Sequence, residues 1–281
     1  MKVERNTDLY SQNTMRLHSI ADNVYYPESY DELNGLVQQY GSDCLIISAG
    51  SNVLLPPQLH RPVVSLMKLN EKIEILEDGR VFSGCSVRVQ KLVRFLQQNN
   101  LGGIEYLYSV PASVGGLVYM NGGRGREHNM AISDYLDIVD YLDLSDFTIK
   151  SYIAQKTDFT YRHSPFQDMN VIILAAYFRF KNQKPEVTEA LIKKRLDYSK
   201  KYLSADKPSC GTAFCKGNRY IFRLLRGLRV GDAMFSKKTS NWISNVGNAT
   251  YEDVCKLINK TQRIHKLFLS ECQPEIKIIK E

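Results

Sequence analysis

The 281-residue sequence is short of several things. No apolar run approaches the roughly 18 residues that an α-helical membrane span requires, so no membrane partner is expected. The opening residues, Met1-Lys-Val-Glu-Arg-Asn-Thr-Asp8, lack the apolar centre of a secretory signal, and a cytoplasmic location is the expectation. The six cysteines, at 44, 85, 210, 215, 255 and 272, include no CxxC pair and none at metal-ligand spacing from a histidine. Reduced, mostly buried thiols and no bound metal are expected. Internal repeats, low-complexity tracts and recognised nucleic-acid motifs are all missing.

What is present is the composition of an ordinary globular protein, 43% hydrophobic and 24% charged, with enough length for about two domains. The net charge of +7 is unevenly placed. Residues 186–281 hold 19 Lys and Arg against 10 Asp and Glu, a balance of +9, whereas residues 1–185 hold 18 against 20, a balance of −2. A basic C-terminal third suits an anionic ligand such as a nucleotide sugar, and also nucleic acid. The interspersed acids and the missing motif argue against nucleic acid. Lys193-Lys194-Arg195 and Lys200-Lys201 read as a solvated helix face.

Along the chain, Pro27–Tyr40 has a Ser29 cap with Leu33, Leu36 and Val37 on one face, and the apolar strand Cys44–Ile47 follows. Lys72–Phe82 alternates around Asp78-Gly79, a hairpin signature. Arg88–Asn99 is helical by the spacing of Leu92, Phe95 and Leu96, with Gly102-Gly103 as its stop. Ile138–Lys150, Ser151–Gln155 and Val171–Phe180 read as strands, and Asn182–Pro185 as a boundary before the helix Val187–Tyr202. Thr250-Tyr-Glu-Asp253 opens a further helix in the manner of a capping box, and Pro274–Ile279 closes the chain as a strand. The pattern is α+β.

Two stretches of small residues stand out. Tyr108-Ser-Val-Pro-Ala-Ser-Val-Gly-Gly-Leu-Val-Tyr-Met-Asn-Gly-Gly123 is a loop in which backbone N–H groups can approach an anion, or else a tight turn between buried strands. Ser48-Ala-Gly-Ser-Asn-Val-Leu54, at the end of an apolar strand, is a second such loop. A pyrophosphate draws N–H donors from more than one direction, so two loops favour a dinucleotide over either alone.

Four blocks in order then resemble the UDP-N-acetylenolpyruvoylglucosamine reductase (MurB) family: Ala49-Gly-Ser-Asn52, Val110-Pro-Ala-Ser-Val-Gly-Gly116 ending in Met120-Asn121, Tyr161-Arg-His-Ser-Pro-Phe166, and Val246-Gly-Asn-Ala-Thr250 ahead of Pro274-Glu275. The likeness begins at Asn13-Thr14-Met15-Arg16, covers essentially the whole chain, and is to the shorter subtype. It implies a two-subdomain FAD-binding fold (PCMH/MurB-like), with subdomains at 1–80 and 81–184, followed by a smaller α+β substrate-binding domain at 185–281. It also implies FAD and NADPH as cofactors and hydride transfer to the enolpyruvyl group of UDP-N-acetylglucosamine enolpyruvate in peptidoglycan precursor synthesis. The substrate is then a nucleotide sugar, and a monomer is favoured.

By match to the family, Ser48, Ala49, Gly50, Ser51 and Asn52, with Pro111, Ala112, Ser113, Gly115, Gly116 and Asn121, would hold the flavin. Tyr161, Arg229, Lys238 and Asn241 would bind substrate. Hydride addition pushes charge onto C2 and the adjoining carboxylate, so that chemistry needs a cation, hydrogen-bond donors and one acid over C2. Arg162 takes the family's arginine position, Glu275 its C-terminal glutamate, and Thr212 the place of its proton-donating serine.

Departures gather in the last third. Thr212 carries a methyl that restricts its rotamer, with Cys210 and Cys215 on either side as substitutes or inert thiols. Cys215-Lys216 replaces a Lys-Asn, Thr239 replaces a histidine, and His18-Ser19 replaces a Gly-Gly. Ala112 and Ser113 stand where Gly and Thr are usual, so residue 112 is expected to hold an ordinary φ. These differences keep open a flavoprotein paralogue acting on another nucleotide-linked sugar, and a ligand-binding protein without turnover.

Overall fold

The run Val171–Phe178 is apolar throughout because both its faces are covered. In the computed structural model, which describes residues 1–124, 130–204 and 206–281, it is the middle strand of a five-stranded antiparallel sheet. The order is Ile149–Ile153, Leu136–Asp143, Val171–Phe178, Val81–Gly84, Ile73–Ile75. Ile173, Ala176 and Phe178 enter one core cluster with Val139, Tyr141 and the buried side of the helix Val89–Gln98. Ile172 and Leu174 enter another with Leu142 and with Leu33, Leu36 and Val37 of the helix Tyr30–Tyr40. Each fully buried side chain of this size contributes about 1.5–3 kcal/mol, so the strand is an anchor for both layers.

This sheet lies in the first of two compact units, Met1–Glu4, Val24–Ala49 and Pro62–Leu196. The same unit holds a parallel group in which Leu45–Ile47 pairs with Val63–Ser65 and Val24-Tyr25 with Val63-Val64. The second unit is discontinuous: Arg5–Asn23, Gly50–Arg61 and Asp197–Glu281. Its four-stranded antiparallel sheet runs Ser209–Thr212, Trp242–Asn245, Ala233–Phe235, Arg229–Val230. Phe214, Phe235 and Ile243 pack there with Val254, Leu257 and Ile258 of the helix Tyr251–Leu267.

The N-terminal segment is tied into this second unit by named bonds. Buried Asn13 donates through Nδ2 to Leu9 O and Leu17 O, both at 2.9 Å, and accepts Leu17 N–H through Oδ1 at 3.0 Å. Ser209 N–H reaches Thr14 O at 3.0 Å, and Asn245 Nδ2 reaches Met15 O at 3.0 Å.

Local signals hold where the chemistry is local. Ser29 caps its helix by accepting Glu32 N–H at 3.2 Å. The hairpin turns at Gly79, φ +78°, and the Thr250–Asp253 capping box forms. Four expectations are corrected. The helix Val89–Gln98 is ended by Asn99 and Asn100, the latter at φ +57°, while Gly102 pairs with Lys181 in a short strand. The strand expected over 138–150 is two strands, parted by a turn in which Asp143 and Asp146 accept Ser145 and Thr148 N–H and Phe147 sits at φ +59°. The strand expected over 274–279 is two pieces, Gln273–Pro274 and Lys277–Ile278, with different partners. Inside the stretch expected as a loop, Val114–Tyr119 is a short helix capped by Ser113. Among the described residues no helix is long and apolar enough to cross a membrane, and no group of three or more His, Cys, Asp or Glu could hold a metal ion.

Candidate active site

In the first unit, the hydroxyls of Ser48 and Ser113 meet at 2.6 Å, joining the two small-residue loops. Ser113 is fully buried and its Oγ also accepts Gly116 N–H at 3.3 Å. Val114 N–H goes to Val87 O at 2.8 Å and Gly115 N–H to Cys85 O at 3.0 Å. The backbone donors of residues 114–116 thus serve the fold, which corrects the reading of this loop as a set of free N–H groups. Gly115 is glycine because a Cβ there would lie 2.9 Å from Cys85 Cβ. Burial pushes the Cys85 thiol up to about 11, so it is an inert packing group. Gly116 is different: a Cβ added there would meet nothing nearer than Ser113 Oγ at 3.5 Å, leaving a bare stretch of main chain. Pro111 is exposed, and Ala112 is buried with no positive φ, as expected from its side chain.

Past that helix, Asn121 sits at φ +41° and its Nδ2 donates to Thr160 O at 2.8 Å. Its Oδ1 is buried and has no partner. Thr160 and His163 exchange two backbone hydrogen bonds, 3.2 and 3.1 Å, closing a turn with Tyr161 and Arg162 at its tip. Arg162 holds φ +60°, a left-handed conformation that costs a non-glycine residue roughly 1–2 kcal/mol. Its guanidinium lies 5.2 Å from the centre of the Tyr161 ring. The turn is fastened to the end of the helix Val114–Tyr119 by Ser164 Oγ, 2.7 Å from Tyr119 O, and by Gln167 Nε2, 2.9 Å from Tyr119 O and 3.0 Å from Arg162 O.

The second unit holds the other candidates. Gly50, at φ +64°, admits no side chain, because a Cβ would fall 1.8 Å from Gln12 O. Asn52 donates from Nδ2 to Glu275 O at 3.1 Å, and its own carbonyl accepts Lys277 N–H at 3.0 Å. Glu275 N–H reaches Ala213 O at 2.8 Å. Asn52, Ala213 and Glu275 are therefore linked, with Thr212 next in the chain and paired across the sheet with Trp242. Asn241, at φ +56°, commits its amide to Phe214, donating to O at 2.8 Å and accepting N–H at 3.0 Å.

Lys238 and Arg229 engage other partners. Lys238 Nζ donates to Lys200 O at 2.6 Å, and Thr239 Oγ1 donates to Tyr202 O at 2.7 Å, so both serve the end of the helix Pro185–Tyr202. Arg229 is exposed, paired with Asp232 and bonded through Nε to Gly231 O at 2.6 Å. Burial, with a smaller contribution from the Glu275 carboxylate, pushes the Cys210 thiol up to about 12. Its Sγ is buried and lies 3.7 Å from both Gly211 O and Ile243 O, so Cys210 serves the core of the second unit rather than standing in for Thr212.

Residues 21–149 match the FAD binding domain family, and residues 205–279 match the C-terminal domain of UDP-N-acetylenolpyruvoylglucosamine reductase. The UDP-N-acetylenolpyruvoylglucosamine reductase of Pelobacter propionicus is 31% identical over 95% of this chain and 92% of its own. The chain belongs to the UDP-N-acetylenolpyruvoylglucosamine reductase family. Another reductase of that name, from Fusobacterium nucleatum, is 27% identical over the full length of both chains. The crystal structure of the Thermus caldophilus reductase shares the fold, with a TM-score of 0.81, 24% identity and full coverage of both chains.

In this reductase-family chain, several left-handed non-glycine residues coincide with motif positions: Arg16, Asn121, Arg162 and Asn241. Such conformations persist only where the surroundings over-determine them, and they gather at functional sites. The orphaned Asn121 Oδ1 fits a cofactor that carries hydrogen-bond donors, and the open space at Gly116 lets a group lie close against the main chain, as FAD does in its binding domain. Sequence reading missed Gln167 and gave Ser164 no role. Ser164 lies inside the Tyr161–Phe166 block, but nothing in the order of residues marks Gln167, whose role depends on a carbonyl 48 positions away.

Proposed function

We propose that this chain is the FAD-dependent reductase that converts UDP-N-acetylglucosamine enolpyruvate to UDP-N-acetylmuramate, using NADPH, in peptidoglycan precursor synthesis. Bound FAD would supply the hydride carrier between the nicotinamide and the enolpyruvyl group. Ser48, Asn121 and the main chain around Gly116 would hold it. The observation that carries the reading is Arg162, kept in a left-handed turn by four hydrogen bonds from Asn121, Ser164 and Gln167. A fold maintains an unfavourable arginine conformation when the guanidinium has a task that needs a fixed direction.

That task is to face the substrate's carboxylate as hydride arrival drives negative charge onto it. A planar, permanently charged fork suits a carboxylate better than an ammonium does. Thr212 Oγ1 is assigned as the donor of the proton to C2, since a threonine hydroxyl has the same acid group as serine. Glu275, its main chain pinned on one side by Ala213 and on the other by Asn52, is assigned to the developing enolate. The reading takes the protein to be a cytoplasmic monomer, with the basic character of residues 186–281 suited to the substrate's diphosphate.

The deciding experiment is anaerobic. Purified protein should be yellow, should bleach with NADPH, and should regain its colour when UDP-N-acetylglucosamine enolpyruvate is added. Protein that carries no FAD, or whose reduced flavin ignores that compound, would overturn the proposal.

A further inference from the structure

The carbonyl of Arg162 is held by a side chain five residues further on. Gln167 Nε2 lies 3.0 Å from Arg162 O and 2.9 Å from Tyr119 O. An amide nitrogen carries two N–H groups and an amide oxygen carries none. Both neighbours are carbonyls, so the nitrogen must face them. One planar group thereby ties the left-handed residue to the last turn of the helix Val114–Tyr119. Rotating Arg162 out of φ +60° would swing its carbonyl away from this donor. The other fastenings act elsewhere, since Asn121 holds Thr160 O and Ser164 holds Tyr119 O.

We propose that Gln167 is a positioning residue for the Arg162 guanidinium. By holding the arginine's own carbonyl it keeps the turn left-handed, and so sets the direction in which the side chain leaves the backbone. The inference rests on the role given to Arg162 above, and Gln167 acts through that residue.

Gln167→Met keeps length and bulk and removes both donors. Hydrogen exchange over residues 158–168 should become roughly tenfold faster while the helix Val89–Gln98 is unchanged. FAD content and the rate of flavin reduction by NADPH should stay at the wild-type level. Reoxidation by UDP-N-acetylglucosamine enolpyruvate should slow roughly tenfold to a hundredfold, the usual consequence of a slightly misplaced group. In an Arg162→Ala background the same change should add less than about twofold, because the two residues act as one unit. Unchanged exchange at 158–168, losses that multiply in the double variant, or loss of FAD alongside rate would each overturn the proposal. If wild-type protein is not reoxidised by that compound, the functional reading falls, and the exchange measurement still decides whether Gln167 holds the turn. Should Gln167→Met not fold, Gln167→Asn, which retracts the same amide by one methylene, is read in the same ways.

Discussion

The two segments that carry charged candidates are held in opposite ways. Arg162 sits on a strained turn that two backbone bonds between Thr160 and His163 close, but that side chains fasten to its surroundings: Asn121, Ser164 and Gln167 reach main-chain carbonyls at 2.7–3.0 Å. Glu275 sits between two short strands whose fastenings are mostly main chain: its N–H on Ala213 O, and Lys277 N–H on Asn52 O, with one side-chain bond from Asn52 Nδ2. A site fastened by side chains can be retuned by single substitutions. One fastened by main chain tolerates most substitutions around it, because the bonds do not depend on residue identity.

The largest expected effects come from the charged residues themselves. Arg162→Lys and Glu275→Gln should each slow flavin reoxidation by the enolpyruvyl substrate roughly 10²–10³-fold with FAD content retained. A neutral Glu275→Gln would remove the second segment from the chemistry altogether. The next effect bears directly on the contrast. Asn121→Ala, which leaves Thr160 O only His163 N–H and removes a side chain assigned to FAD, should cost roughly tenfold to a hundredfold in the same measurement, scored per bound flavin. Asn52→Ala should cost less than about tenfold, because the Ala213 and Lys277 bonds do not need its side chain. Equal losses would break the comparison.

The smallest effect is one of pH. Cys210 has its thiol raised from 9.0 to about 12 in the folded chain. Between those values the unfolded chain releases a proton that the folded chain keeps, so stability is intact below about pH 9 and falls as pH rises further. The slope is at most about 1.4 kcal/mol per pH unit. Urea titrations at pH 8 and pH 10 should show the decline, and Cys210→Ala should make it shallower without altering turnover at neutral pH, the thiols of Cys85 and Cys272, raised to about 11 and about 12, supplying the remainder.

Local chemistry made much of the fold legible: Ser29, Asp78-Gly79 and the Thr250–Asp253 box each act within four residues. The turn at 144–148 was hidden because Asp143 and Asp146 build it without glycine or proline, and Phe147 takes the left-handed conformation. Gly115-Gly116 suggested an open loop, but Gly115 is small to clear Cys85, a neighbour that no linear pattern reveals. Motif residues were identifiable one at a time, whereas their supports were not. Asn241 bracing Phe214, Lys238 reaching Lys200 O and Gln167 reaching Tyr119 O all depend on partners brought close only by folding.

The discontinuity of the second unit has a consequence for biosynthesis. Asn52 and Glu275 are 223 positions apart, and ribosomes add about 5–20 residues per second. The strand Val53-Leu54 therefore waits on the order of ten to forty seconds for Lys277-Ile278 to emerge and pair with it. Through that interval Leu54 and Met15, both later buried in the core of the second unit, lack their C-terminal neighbours. An apolar surface made early is thus covered only once Lys277-Ile278 has been made.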